Sequence, residues 1–380
     1  MTTISHRLRA LGALTALTLA LLTSACAAEA PAPGHRLQIL VEGLEHPWAL
    51  AFLPDGGILV TERSGRLLRI DLAAGQQRAV DGVPAVAARG QGGLLDIAPH
   101  PEFADNRLVY LSYATATASG STTAVGRGRL EGTRLAEFEE LFRAQPPAKT
   151  DQHFGSRLLF DAAGYLWVTV GDRRQRDWAQ RLDTHAGKVL RLTADGGIPP
   201  DNPFVGQAGA LPEIYSYGHR NPQGLALHPE TGRVWLHEHG PRGGDEINIV
   251  SAGANYGWPL VTFGREYHGP TIGVEPPQPG FVAPLHHWTP SIAPSGMAFY
   301  SGEGFPAWRG DLFVGALAHR HLQRLRFHGG ELVAQEKLLT DQGWRIRDVR
   351  VGPDGYLYLL TDAAGGVLAR LEPGTDHSRP

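Results

Sequence analysis

The chain has 380 residues, and its 35 lysines and arginines against 38 acidic residues leave a net charge of −3, with both signs interspersed. That balance excludes a nucleic-acid surface or a polybasic membrane patch, and the length allows one large domain or two ordinary ones. Glycine (48) and proline (28) are abundant, which predicts many short strands joined by turns.

The N-terminus reads as a targeting segment. His6, Arg7 and Arg9 make a weakly basic start, residues 11–22 are an apolar run too short to span a membrane comfortably, and the small residues of TSACAAEA follow. Residues 1–30 are therefore taken as a secretory signal outside the fold. Cys26, the single cysteine, falls in the cleavage zone. Two fates are open: ordinary cleavage near Ala27 or Ala30, or lipidation of Cys26, for which Thr23 stands where leucine is usual. Either way the product is exported, to the periplasm or as a membrane-anchored lipoprotein. The folded part has no disulfide and no further transmembrane stretch.

From Arg36 onward the chain is strand-like. RLQILVEGL leads into a pattern that recurs: an apolar strand, a turn built on Pro, Asp and Gly, a second apolar strand, then a third. It runs as ALAFLPDGGILVTERSGRLLRI from Ala49, GLLDIAPHPEFADNRLVYLSYA from Gly93 and SRLLFDAAGYLWVTVGD from Ser156. It returns as GLALHPETGRVWLHEHG from Gly224, GMAFYSGEGFPAWRGDLFVGAL from Gly296 and VRVGPDGYLYLLTDAAGGVLARL from Val349. Six such units, none able to bury both its faces alone, predict an all-β fold: a six-bladed β-propeller of four-stranded antiparallel blades over residues 36–372. Residues 373–380 form a tail. The strand near Arg36 is expected to pair with the last blade and close the ring. Long amphipathic helical patterns are absent, which argues against a TIM barrel; a pair of β-sandwiches is the alternative. Extra residues at 193–212 and 264–290 should gather at one mouth of the channel. Residues 263–284 and 104–147 are read as the loops that shape substrate range.

Five stretches carry candidate chemistry. In DQHFGSRLLFDAAGYLWVTVGD, His153 precedes one strand and Asp172 follows its hairpin partner, nineteen positions later. Folding the hairpin brings the two together, either as a base oriented by a carboxylate or as two surface polar residues. YGHRNPQG at residues 217–224 sets Arg220 and Asn221 before a proline-fixed turn. That turn either aims the guanidinium at an anion or a carbonyl, or makes it a structural arginine. In HEHGPRGGDEIN at residues 237–248, His237 and His239 alternate ahead of glycines and carboxylates. Zinc lacks a clear third ligand there, and calcium suits the backbone carbonyls and carboxylates better. RIRD at residues 345–348 puts Arg345 and Arg347 on one strand face, where they repel unless an anion or carboxylates lie between them. GQGG at residues 90–93 gives Gln91 a close-approach backbone. HHW at residues 286–288 and HRH at residues 319–321 read as solvated loop residues. The candidates come from five of six units at equivalent strand ends, which points to one site at the channel mouth.

HFGSRL, GD, GKVLRL, DNPF, YGHRNPQGLA, EHGPRGGDEIN, NYGWP and RIRDVRVGPDGYLYLLTD, in that order, resemble the soluble quinoprotein sugar dehydrogenases, most closely the aldose sugar dehydrogenase branch. The resemblance spans residues 36–371 and implies a six-bladed propeller that uses pyrroloquinoline quinone (PQQ) and calcium (Ca2+) to oxidise aldose sugars at the anomeric carbon, passing electrons to an external acceptor. It further implies His153 as general base, Asp172 as its orienter and Arg220 as electrostatic stabiliser. Gln91, Asn221, Tyr267, Arg345 and Arg347 would hold the cofactor together with Arg220. The carbonyls of Gly240 and Pro241 would bind the calcium beside it, and Glu246 and Tyr256 match a second, structural calcium site. Two positions depart from the pattern. Ala318 stands where the family often has a lysine that contacts the cofactor, with His319 and Arg320 next to it. His239 stands where the glucose-oxidising branch has glutamine. Two other classes remain: a calcium-dependent lactonase, which needs carboxylates and amides converging on one metal, and a non-catalytic propeller binding sugar or protein, which has no use for an oriented His–Asp pair.

Overall fold

The second strand of nearly every unit is buried on both faces. Ile58–Glu62, Leu166–Val170, Val234–Glu238, Leu312–Ala316 and Leu357–Thr361 are buried at every position. Such a strand needs hydrogen-bonded neighbours on either side and another sheet above and below. The computed structural model, which describes residues 34–269 and 271–374, meets that demand with six four-stranded antiparallel sheets packed face to face around an axis. The fold is the expected six-bladed β-propeller. The segment read as an export signal lies outside the described residues, as does the tail beyond residue 374. Among the described residues no helix is long and apolar enough to cross a membrane.

Five sheets use strands consecutive in sequence. The sixth takes Ile346–Val351, Leu357–Thr361 and Gly366–Pro373, and then His35–Leu44 from the other end of the chain. His35 lies opposite Pro373 and Leu44 opposite Gly366. This closes the ring as RLQILVEGL predicted: the C-terminal strand is paired on both sides, and the N-terminal strand becomes the outer edge of the last blade.

The innermost strands are Pro47–Phe52, Leu94–Pro99, Leu158–Phe160, Pro222–Leu227, Pro294–Phe299 and Ile346–Val351. All but the third show a register shift in their first few residues, at Pro47/Ala49, Leu94/Ile97, Pro222/Gly224, Pro294/Met297 and Ile346/Asp348. Irregularities of this kind bend the strand and re-aim its side chains. Here they all sit at the same end of the channel. Three of the five begin with proline, which a strand tolerates at its first residue.

The channel interior is filled by ions. Arg157, 1% exposed, donates Nη1 to Asp348 Oδ1 at 2.9 Å and to Asp96 Oδ1 at 3.3 Å. Arg350 reaches the same two carboxylates at 3.1 and 3.0 Å. Burial pushes the Asp348 carboxyl up, but Arg350 and Arg157 outweigh it and hold the group ionised. Two arginines and two aspartates from blades 2, 3 and 6 thus cross-link the axis.

Two sequence expectations fail here. Residues 104–147 are not a substrate loop: Leu108–Thr117, Gly120–Glu131 and Arg134–Arg143 are the three outer strands of blade 2. RLVYLSYA already reads as a strand of the second unit; glycines and charges hid the alternation of the last two. A Cβ on Gly126 would come 2.5 Å from the Phe138 ring, so the glycine is what lets the next strand pack. HHW is not a solvated loop either. His286–Trp288 is the outer strand of blade 4, paired to Asp245–Ile249, with Trp288 buried. In HRH, His321 is 1% exposed and opens the strand His321–His328, its Nε2 against Gln323 Oε1 at 3.0 Å.

Candidate active site

The re-aimed strand ends surround a cavity of about 250 Å³. Every blade contributes: His46 and Trp48 from blade 1, Gln91 ahead of blade 2, Phe154 and Gly155 ahead of blade 3, Asn221 and Gln223 from blade 4, Ala293 ahead of blade 5, Arg345 and Arg347 from blade 6. The sequence candidates Gln91, Asn221, His239, Arg345 and Arg347 all line it.

The cavity is cationic. Arg63, Arg345 and Arg347 face it against one carboxylate, Asp362, which is already shared by Arg345 Nη2 at 2.8 Å and His46 Nδ1 at 2.9 Å. Arg347 bonds Gln223 Oε1 at 2.9 Å, and its Nε is buried with no partner. Burial, reinforced by Arg157, pushes Arg347 down to about 9, so it still carries its charge at neutral pH. The floor is Trp48, sandwiched between the guanidinium groups of Arg157 at 4.4 Å and Arg347 at 4.3 Å. Arg63, Gln223, Trp48, His46 and Asp362 escaped the sequence reading. Arg63 was findable: it directly follows the strand Ile58–Glu62, on the turn of TERSG, at the end of blade 1 that faces the site.

His153 and Asp172 stand beside this cavity rather than in its lining. The His153 backbone N–H donates to Gln91 Oε1 at 2.8 Å, and the Gly155 N–H donates to Asn221 Oδ1 at 3.2 Å. Two cavity side chains therefore hold the segment that carries the histidine. Its Nδ1 lies 2.7 Å from Asp172 Oδ1, and both side chains are buried. Despite burial, which pushes it up, the carboxyl is held below its ordinary range by the His153 hydrogen bond and by Arg220. An ionised carboxylate only accepts, so Nδ1 carries the proton and Nε2 is left as the free lone pair. Burial pushes the imidazolium down, the Asp172 hydrogen bond opposes that, and Arg220 and Arg174 reinforce it. The result is a neutral, oriented imidazole. His153 adopts φ 56°, in the left-handed region that non-glycine residues seldom occupy. Arg173 and Arg174, just after Asp172, do so too, at φ 52° and 55°.

Arg220 is fixed from both ends. Its backbone N–H donates to Glu238 Oε2 at 2.6 Å, and Glu238 Oε1 takes His219 Nδ1 at 2.7 Å. Its Nη1 donates to the carbonyls of His239 at 3.1 Å and Gly240 at 2.7 Å. His239 donates Nε2–H to the carbonyl of Pro294 at 2.6 Å, and burial pushes it down to about 3, so it faces the cavity neutral.

The carbonyl of Pro241 accepts from Tyr267 at 3.2 Å and from Ser291 at 3.4 Å. A carbonyl oxygen has two lone pairs: Gly240 O accepts one hydrogen bond and keeps a lone pair for a hard cation, whereas at Pro241 O a cation would take the place of the Tyr267 or the Ser291 donor. Tyr267 is 59% exposed and is not part of the cavity lining. Glu246 and Tyr256 line a separate small cleft with Gly240 and Arg220. Glu246 is buried, and burial together with Glu238 pushes its carboxyl up, so this cleft carries negative charge most favourably with a cation present. Ala318 does line the main cavity, but His319 turns to an outer cleft between blades 4 and 5 and does not replace a lysine there.

Comparison with known proteins agrees with this geometry. The sequence profile of the glucose/sorbosone dehydrogenase family matches residues 44–370. The chain belongs to that family. The aldose sugar dehydrogenase YliI of Escherichia coli K12 is 48% identical over 343 residues, covering 89% of this chain and 92% of that one. A glucose dehydrogenase crystal structure is 54% identical with a TM-score of 0.87, over 88% of this chain and 99% of that one. The PQQ-bound aldose sugar dehydrogenase of Streptomyces coelicolor is 29% identical with a TM-score of 0.72, over 90% of this chain and 100% of that one. The match over residues 44–370 runs through all six blades, so membership rests on the whole fold and not on one motif.

Proposed function

We propose that this chain is a PQQ-dependent quinoprotein that oxidises the anomeric carbon of aldose sugars to the lactone. The observation that carries the reading is the His153–Asp172 pair, locked in one tautomer beside a cavity with three arginines and a single, already paired carboxylate. Kinship to sugar dehydrogenases, one of them with PQQ bound, supports it. The cavity's chemistry fits a planar polycarboxylate: Arg347 Nε is a buried donor without a partner among the described residues, and Arg63, whose backbone N–H bonds the His46 carbonyl, has no side-chain hydrogen bond to any described residue. When bound, PQQ supplies the acceptor for the hydride leaving the anomeric carbon, calcium on Gly240 and Pro241 adds positive charge beside it, and an external acceptor later removes the electrons.

The protein's own part is positioning and proton handling. His153 Nε2 takes the proton of the anomeric hydroxyl. Asp172 holds the ring and stabilises the imidazolium that forms. Arg220 supplies fixed positive charge near the reacting atoms, at no reorganisation cost because Gly240 and His239 already hold it. Gln91 and Asn221 keep the His153 segment in register with the cavity, and Arg345 and Arg347 hold carboxylates. Tyr267, bonded to the carbonyl of Pro241, is the remaining residue assigned to the cofactor. Glu246 and Tyr256 belong to a second, structural calcium site. Export through residues 1–30, with Cys26 either removed or lipidated, completes the reading; residues 36–372 form the catalytic domain. A lactonase, which needs carboxylates and amides converging on one central metal, is disfavoured by a cavity lined by three arginines and one already paired carboxylate. The test is dye reduction on adding PQQ and calcium to metal-stripped protein. Activity that needs both and disappears in His153→Ala supports the proposal; activity retained in that variant refutes it.

A further inference from the structure

We propose that Trp258 is a positioning residue of the His153–Asp172 pair, acting through its indole N–H on the carboxylate. The inference rests on the reading of His153 as the base.

Trp258 is 86 residues from Asp172 in sequence, yet its Nε1–H donates to Asp172 Oδ2 at 2.8 Å. The other oxygen, Oδ1, takes His153 Nδ1–H at 2.7 Å and the Arg174 backbone N–H at 2.8 Å. The indole is the only partner of Oδ2 among the described residues. Asp172 is 1% exposed.

The indole is itself well held. Trp258 N–H donates to Gly218 O at 2.9 Å. Gln180 donates to Trp258 O at 2.7 Å and exchanges two amide hydrogen bonds with Asn255. The ring packs on Ala179 and on Ile272, a residue of the insertion between blade 4's third and fourth strands. The guanidinium groups of Arg220 and Arg176 lie 5.4 and 5.6 Å from it. Thus Trp258 of NYGWP, a residue given no role above, aims one donor at the one carboxylate oxygen that the histidine does not use.

Two consequences follow from elementary chemistry. A carboxylate turns easily about its last bond, so donors on both oxygens are needed to fix its plane and hence the direction of the His153 ring. A donor on Oδ2 also draws charge from Oδ1. Without it Asp172 accepts more strongly from His153 and raises the affinity of the ring for a proton. The charged groups facing His153 are Asp172, Arg220 and Arg174; a change at residue 258 removes none of them and reaches the ring through Asp172, and His239 beside them is neutral.

The experiment removes the N–H alone. Trp258→Phe is compared with full-length protein carrying 3-benzothienylalanine at position 258, in which sulfur replaces the N–H at nearly constant shape; the latter carries the test if the former fails to fold. The His153 imidazole is titrated by NMR without cofactor. kcat and KM for an aldose are then measured with PQQ and calcium, alone and combined with Asp172→Asn. The His153 pKa is expected to rise by roughly half to one unit. kcat should fall about tenfold with KM changed less than about twofold. Added to Asp172→Asn, the change should cost almost nothing further, because it acts through that carboxylate. An unchanged His153 titration in the benzothienyl protein, or losses that simply multiply, would overturn the proposal. Should His153→Ala keep full activity, the base reading fails, while the titration still decides whether Trp258 governs the pair.

Discussion

A Cβ on Gly171 would lie 2.2 Å from the carbonyl oxygen of His153. The strand end that delivers Asp172 therefore runs in direct contact with the backbone that carries the histidine. Only a residue without a side chain allows the 2.7 Å hydrogen bond between them. Gly171→Ala should force the two segments apart, at about 1–3 kcal/mol of stability. kcat should fall more than the sugar KM rises. Thermal unfolding beside steady-state kinetics checks both.

The pH profile should follow the His153 imidazole. The base works only when neutral, and burial with Arg220 and Arg174 holds its pKa below the ordinary value of about 6.5. The acid limb of kcat/KM should therefore be half-complete below pH 6.5, with a plateau at neutral pH. The same shift sets the sign of the stability effect: the unfolded chain protonates first. This group's contribution is full above about 6.5 and is lost as pH falls through the lower folded value. Asp172→Asn removes the hydrogen bond that raises the pKa, so the limb should move further to acid while the plateau drops roughly 10- to 100-fold.

Cofactor affinity should respond to the cavity's charge. Arg63→Ala should weaken PQQ binding about tenfold, by removal of one charge-assisted contact. Ala318→Lys, which restores a cation to the lining, should strengthen it by a similar factor. Arg320→Ala, at an exposed position outside the cavity, should leave it unchanged. Fluorescence or calorimetric titration of the cofactor-free protein reads all three.

Lys188 is buried, and its ammonium donates to the carbonyls of Trp178, Ala179 and Ala186 at 2.9, 3.1 and 2.6 Å. It staples the 3-10 turn Arg176–Gln180, and with it Gln180 and Trp258, to the strand Lys188–Leu192. Lys188→Met leaves those carbonyls unpaired and should cost about 2–4 kcal/mol, measurable by denaturant unfolding.

Much of this was readable in advance. The blade units announce themselves because each pairs two apolar runs across a Pro–Asp–Gly turn, and RLQILVEGL had no other partner than the last strand. The His153–Asp172 contact follows from hairpin geometry alone. What stayed hidden depends on packing between blades. Trp48 and Arg157 meet only because the inner strands of blades 1 and 3 share the axis. Trp258 reaches Asp172 from a different blade, across 86 residues. The last two strands of blade 2 were missed because charges and glycines such as Gly126 replace the apolar residues that mark a strand. His286–Trp288 was missed because an outer strand with solvent on one side tolerates polar residues.

The most direct measurement is a titration of purified, metal-stripped protein with PQQ and calcium, following dye reduction with a panel of aldoses beside His153→Ala. The account predicts saturable activity that requires both additions and is lost in the variant. PQQ binding without sugar oxidation, or oxidation that survives His153→Ala, would contradict it.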